Sequence, residues 1–172
     1  IGVVARGIDD YGPLIRRVFD AHKIPFVSSA REPINRYQVT KIVHLLISLD
    51  REDYRRSDII DILSSHFCKT RLFCPEGVEP RPDLWDVVTR SIGISKGFGE
   101  WVRLDRYIRD GFVFHGHGED EGSRQVISGA QIEGLQRFVL SIREDFGRLP
   151  EKSSWGHYAE LFQSFIRKYI HA

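Results

Sequence analysis

The chain has 172 residues, 41% hydrophobic and 28% charged, which supplies enough apolar material for a packed core and excludes disorder. A formal net charge of +1 excludes a global attraction to nucleic acid or anionic lipid, although seven Lys/Arg against four Asp/Glu over residues 1–49 allow a local basic face. No apolar run is long enough to span a membrane, and two cysteines, Cys68 and Cys74, make no disulfide framework, which points to a reducing cytoplasm.

Ile1 to Ala5 is a short continuous apolar run, the pattern of a strand covered on both faces. Asp9 and Asp10 are placed to cap a helix with Tyr11, Leu14, Ile15, Val18 and Phe19 on one stripe. Ile24-Pro25-Phe26-Val27 reads as a second strand, so the opening is expected to be a βαβ unit. The chain contains no methionine and opens as if in mid-strand, and is therefore expected to be a piece of a longer polypeptide.

Everything after Ser28 reads as helical. Asn35 to Leu49 places Val39, Ile42, Val43, Leu46 and Leu49 on one stripe, and Leu45 and Ile47 widen it, which predicts a helix buried on most sides. Ser57 is placed to cap a shorter helix through Leu63, and three prolines and a glycine make residues 69–82 a loop. Asp83 starts a helix bearing Trp85, Val88 and Ile92, with Gly93 at its end, and Phe98, Trp101, Val102 and Ile108 mark the next. Residues 111–122, glycine-rich and polar, are the candidate mobile loop. Ile132, Leu135, Val139, Ile142 and Phe146 define one long helix; after Leu149-Pro150, Ser153 or Ser154 caps the last, with Trp155, Tyr158, Phe162, Phe165, Ile166 and Tyr169 on one side.

The residues that carry chemistry form no catalytic array. No phosphate-binding glycine loop, serine elbow or carboxylate–lysine nuclease array occurs. His115 and His117 with Glu119, Asp120 and Glu121 are potential metal ligands, but on a glycine-rich loop they lack preorganised geometry, so no metal site is expected. Cys68 and Cys74 lack zinc-ligand spacing and read as buried thiols. Trp85, Trp101 and Trp155 have the chemistry to stack on bases, yet each falls on an apolar helix stripe and is expected in the core. Arg55 and Arg56 form a paired cation with the reach to touch phosphate.

The order of Val3-Val4-Ala5-Arg6, the helix from Asp9, Lys23-Ile24-Pro25-Phe26, the segment from Ser28 to Arg36 and the apolar helix through Leu49 resembles superfamily I helicases of the UvrD/RecB kind. Asp10-Tyr11-Gly12-Pro13-Leu14-Ile15 and Ser29-Ala30-Arg31-Glu32-Pro33 are closer to the AddB-like subunits of helicase–nucleases, as are Asp53-Tyr54-Arg55-Arg56-Ser57, Trp101-Val102-Arg103-Leu104-Asp105-Arg106 and Leu149-Pro150-Glu151-Lys152-Ser153-Ser154-Trp155. The resemblance implies a mainly α chain: a βαβ element of a RecA-like domain over residues 1–34, then an inserted helical bundle over 35–172. It makes Arg6 the nucleotide-side candidate, an arginine finger, although Ala5 stands where the family has the tyrosine that stacks on adenine. ATP and Mg would be handled by the parent protein and neither by this segment, which is expected to be non-catalytic and to bind no metal.

The implied role is in double-strand break repair and recombination, positioning DNA or a helicase–nuclease partner subunit. Arg31, Arg36, Arg55 and Arg56 are the candidate phosphate contacts. The rival expectation is a helical protein-interaction scaffold with no DNA contact, which exposed aromatics on the C-terminal helix and a weakly basic surface would favour. A receiver-like signalling domain needs further βα repeats that the chain lacks.

Overall fold

The computed structural model describes residues 8–28, 37–115 and 124–171. The chain divides into two compact units, Ile1–Thr40 and Lys41–Ala172. The described residues are mainly helical, with one two-stranded sheet.

The first unit holds α1 (Ile8–Ala21). The helix starts one residue before the expected cap, so Asp9 and Asp10 lie inside it rather than at its boundary. Lys23 ends it in the left-handed region (φ +53°), with the Ile24 N–H donating to the Phe19 carbonyl at 2.8 Å, the bond that closes a Schellman turn. That turn folds the chain back and brings Phe26 edge-on to Phe19, ring centres 5.3 Å apart, with the Arg16 guanidinium over the Phe26 ring. The second strand expected over Ile24–Val27 is therefore corrected: residues 24–28 form no ladder. Pro25 has no N–H to give one, and the strand expected to pair with it, Ile1–Ala5, lies outside the described residues. The apolar stripe of α1 is open, with Tyr11 58% and Leu14 60% exposed.

The second unit is built round α7 (Gly129–Gly147), which buries Ile132, Leu135, Phe138, Val139 and Ile142. Ser128 accepts a hydrogen bond from the Gln131 N–H and so caps it. The helices before it supply much of the remaining core. α2 (Gln38–Ser48) contributes Ile42 and Leu46, and α3 (Arg56–Ser64) contributes Ile59, Ile60, Ile62 and Leu63. α4 (Pro82–Ser91) contributes Trp85, Val88 and Thr89; α5 (Phe98–Val102) and α6 (Leu104–Asp110) contribute Trp101 and Leu104. The two buried indoles satisfy their N–H groups on backbone carbonyls, Trp85 on Gln131 at 2.7 Å and Trp101 on Tyr54 at 2.9 Å.

Glycine sets two close approaches to α7. A Cβ on Gly129 would stand 1.9 Å from the Ile108 carbonyl oxygen, so the end of α6 reaches the start of α7 only because no side chain intervenes. A Cβ on Gly134 would meet Cys74 Sγ at 2.8 Å and sit 3.4 Å from the Trp85 ring.

Several expectations change on this unit. α2 is buried along one stripe only, because Lys41, His44 and Ile47 face solvent. Ser57 does not cap α3: the helix starts at Arg56 with Arg55 at the cap position, and the Ser57 hydroxyl turns to Asp58 at 3.0 Å. The loop after Cys68 contains a 3₁₀ turn, Thr70–Phe73, whose Phe73 ring stacks parallel to Tyr169 and edge-on to Phe138. The helix expected from Phe98 through Ile108 divides at Arg103, whose guanidinium donates to the Ile92 carbonyl at 2.8 Å.

The all-helical expectation after Ser28 also fails. β1 (Phe112–His115) and β2 (Arg124–Ile127) pair antiparallel, Phe112 opposite Ile127 and His115 opposite Arg124. Gly111, at φ +73°, turns the chain out of α6 into β1, and aromatic and β-branched residues then suit a strand. The stretch read as one loop from Gly111 thus begins as a hairpin arm; residues 116–123 lie outside the described residues.

The last helix, α8 (Trp155–Tyr169), is capped by Ser154, which accepts from the His157 N–H. It runs antiparallel to α7: Phe165 meets Phe146, and the Tyr169 hydroxyl donates to Asp145 at 2.7 Å and accepts from the Ser141 hydroxyl at 3.0 Å. The end of the chain is pinned by an antiparallel bridge between Ile170 and Cys68.

Candidate interaction surface

The arginines expected to touch phosphate divide into two groups. Arg6, Arg31 and Arg36 lie outside the described residues. Arg55 and Arg56 stand at the start of α3, and both are engaged by carboxylates. Arg55 pairs with Glu52 at 3.0 Å and approaches Asp58 at 3.9 Å. Arg56 donates to one oxygen of Asp86, whose other oxygen holds Arg90 at 2.9 Å. The Arg56–Asp86–Arg90 cluster lines a cleft of about 350 Å³ between α3 and α4.

Charge around the cleft is balanced. Lys41, Arg55, Arg56, Arg81 and Arg90 are matched by Glu52, Asp58, Asp61, Asp83 and Asp86. The Arg81 guanidinium beside Asp83 holds that carboxyl below the usual carboxylate range. A phosphate entering here would have to displace a carboxylate from an arginine, which removes the net gain that counterion release gives a basic groove. The cleft ties α3 to α4; it does not present free cations.

The other sequence candidates behave as ordinary core. Cys68 and Cys74 are buried free thiols. Burial pushes the Cys68 thiol up to about 12 and raises that of Cys74, so both stay protonated at neutral pH and neither is an activated nucleophile. Burial likewise lifts the Tyr54 hydroxyl to about 12, while it donates to Asp50 at 2.9 Å under the Arg143 guanidinium. Each of these groups binds its proton more tightly folded than unfolded. Their contribution to stability is therefore complete below the unfolded values, near 9 for a thiol and 10 for a phenol, and is lost as pH rises towards 12. The expected result is a melting temperature that falls steadily above about pH 9 and falls less in Cys68→Ala, measured by circular dichroism. An identical alkaline slope in that variant would disprove the assignment. No group of three or more His, Cys, Asp and Glu positioned for a metal occurs among the described residues. His117, Glu119, Asp120 and Glu121 lie outside them.

The tryptophans separate. Trp85 and Trp101 are buried, as their stripes predict, but Trp155 is 91% exposed. The physical reason is register. Antiparallel packing sets Phe165 against Phe146 and Tyr169 against Ser141, so the partners of residues 155–162 would fall beyond Gly147, where α7 has ended. The first two turns of α8 overhang. Tyr158 is held only part-buried, its hydroxyl donating to the Pro150 carbonyl at 2.8 Å, and Phe162 is half-buried. Beside this overhang, α7, α8 and their connection enclose a groove of about 330 Å³. Leu149, Leu161 and Phe165 line it together with Ser164, and Arg148, Lys168 and Asp145 complete its wall.

Amphipathic periodicity places Trp155 on the right stripe but carries no information about where the opposing helix stops. The usable signal is the spacing: the apolar stripe of α7 ends at Phe146, and the aromatic stripe of α8 begins only at Trp155. Among the described residues no helix is long and apolar enough to cross a membrane. No protein-family model, curated protein or solved structure matches this chain.

Proposed function

We propose that this chain is a helical protein-docking segment of an assembly resembling the AddB-like helicase–nucleases, and that it positions a protein partner rather than performing chemistry. One observation carries this reading: a tryptophan 91% exposed at the head of an amphipathic helix whose first two turns have no helix opposite them among the described residues. Large exposed aromatics are the residues on which protein interfaces concentrate their binding energy. The surroundings agree, because the arginines of α3 are neutralised by carboxylates instead of forming a basic groove.

In the same proposal the first unit is a RecA-like element. The open stripe of α1, with Tyr11, Leu14 and Val18 exposed, is the face that a neighbouring sheet would cover. Arg6 remains its nucleotide-side candidate, with ATP and Mg bound by other parts of the parent.

The deciding experiment is fluorescence anisotropy of single-stranded, duplex and forked DNA titrated with the chain at several salt concentrations. Docking without DNA contact predicts no binding that strengthens steeply as salt is lowered. A slope of log affinity against log salt of several units, about −0.9 per phosphate neutralised on duplex DNA, would sink the docking reading and establish DNA positioning instead.

A further inference from the structure

We infer that α8 is built in two parts: a fixed base from Phe165 to Tyr169, and an arm from Trp155 to Phe162 that unfolds and re-forms while the rest of the second unit stays intact. This property belongs to the helix itself and holds whatever covers Trp155. The base is tied to two other segments. Phe165 packs on Phe146 with ring centres 5.1 Å apart, and Lys168 and Tyr169 both reach Asp145 of α7, at 2.6 and 2.7 Å. The Lys69 N–H donates to the Tyr169 carbonyl at 2.8 Å, the Lys69 ammonium to the Arg167 carbonyl at 2.7 Å, and the His171 N–H to the Phe67 carbonyl at 2.7 Å. Opening the base therefore breaks contacts of the core.

The arm is held differently. Trp155 is 91% exposed, and Gly156, His157, Ala159 and Glu160 are exposed beside it. The Tyr158 hydroxyl donates to Pro150, in the connection just before the helix, which is a local hold. The approach of His157 to Glu160, at 4.0 Å, lies within the arm itself. Leu161 and Phe162, half-buried, mark the passage to the base. A helix this short is marginal without packing, because its nucleation is unfavourable, and Gly156 lowers its propensity further. Propagation from the base and the Ser154 cap, which accepts from the His157 N–H at 3.2 Å, keep the arm helical. Trp155 thus rides on a segment that rearranges round a guest while the core stays closed.

Amide hydrogen exchange of the intact chain, followed residue by residue by NMR and corrected for intrinsic rates, tests this. The amides of Tyr158 to Phe162 should exchange on the order of a hundredfold faster than those of Lys168 to Ile170. The slow group should match the α7 amides of Phe138 and Val139, since both open only with the whole unit. Low urea should speed the base and α7 together and leave the arm unchanged, because opening the arm exposes little new surface. Tyr169→Phe removes the hydroxyl that Asp145 and Ser141 hold, a loss of about 1 kcal/mol. It should speed exchange of the base and of α7 about fivefold and leave the arm at its wild-type rate, because opening the arm does not break those bonds.

Protection that agrees within about tenfold along the whole of α8 overturns the two-part helix. So does a Tyr169→Phe variant in which arm and base accelerate alike, or a urea dependence that the two share, because α8 would then open as one piece.

Discussion

Replacing Trp85 by alanine is expected to cost about 4–6 kcal/mol. Trp85 is fully buried between α4 and α7, and removing its indole takes away the apolar burial and leaves a cavity, together about 3–5 kcal/mol for a buried tryptophan. The Gln131 carbonyl also loses the N–H that satisfies it at 2.7 Å, a further cost of about 1 kcal/mol. Since domains of this size are stable by only about 5–15 kcal/mol, the variant should lose at least about a quarter of its stability. Equilibrium urea unfolding followed by circular dichroism gives the number. Trp85→Phe separates the two contributions, because it keeps most of the apolar volume and drops only the hydrogen bond. A loss below about 1 kcal/mol for Trp85→Ala would mean that α4 does not pack on α7 as described.

The second large effect is one of opposite signs at two helical glycines. Alanine is a better helix former than glycine by about 1 kcal/mol, so propensity alone predicts stabilisation at both Gly129 and Gly147. Packing reverses the first. The Cβ introduced by Gly129→Ala would sit 1.9 Å from the Ile108 carbonyl oxygen, a backbone atom that cannot rotate aside. The start of α7 would have to separate from the end of α6, and the expected loss is about 3 kcal/mol, at the upper end of overpacking. Nothing lies within 4 Å of a Cβ on Gly147, so Gly147→Ala should stabilise by about 0.5 kcal/mol. Thermal melts of the two variants side by side provide the check. Equal shifts in the same direction would show that helix propensity, and not the contact with Ile108, governs Gly129.

The same physics separates what can be read in advance from what cannot. The stripe of α7 through Ile132, Leu135, Val139 and Ile142 is a helical repeat facing a core, and all four side chains are buried. The Ser154 cap and the Gly93 stop at φ +75° follow from local backbone chemistry, which sequence states directly. The hairpin escapes such a reading because Phe112-Val113-Phe114-His115 and Arg124-Gln125-Val126-Ile127 are short. Their pairing is a contact between segments, whereas the glycines between them give a local signal for a loop. The division of α5 from α6 escapes it for a similar reason: Arg103 reaches the carbonyl of Ile92, just past the end of α4.

The candidate surface is legible in composition and illegible in consequence. Arg55 and Arg56 are visible as a cationic pair, but their availability depends on Glu52 one turn before them and on Asp86 thirty residues beyond Arg56, and both are ion partners. Trp155 is visible as an aromatic on an apolar stripe, the same signal that Trp85 gives.

The helical character of the chain, most helix positions, two caps and the core-facing residues of α7 are thus written in the sequence, because hydrophobic periodicity and capping act over a few neighbouring residues. Which charges are neutralised, where glycine permits two helices to touch and which tryptophan is left open emerge only when the elements pack. Those outcomes depend on what stands opposite a residue in space, and for Trp155 that was settled by α7 ending at Gly147.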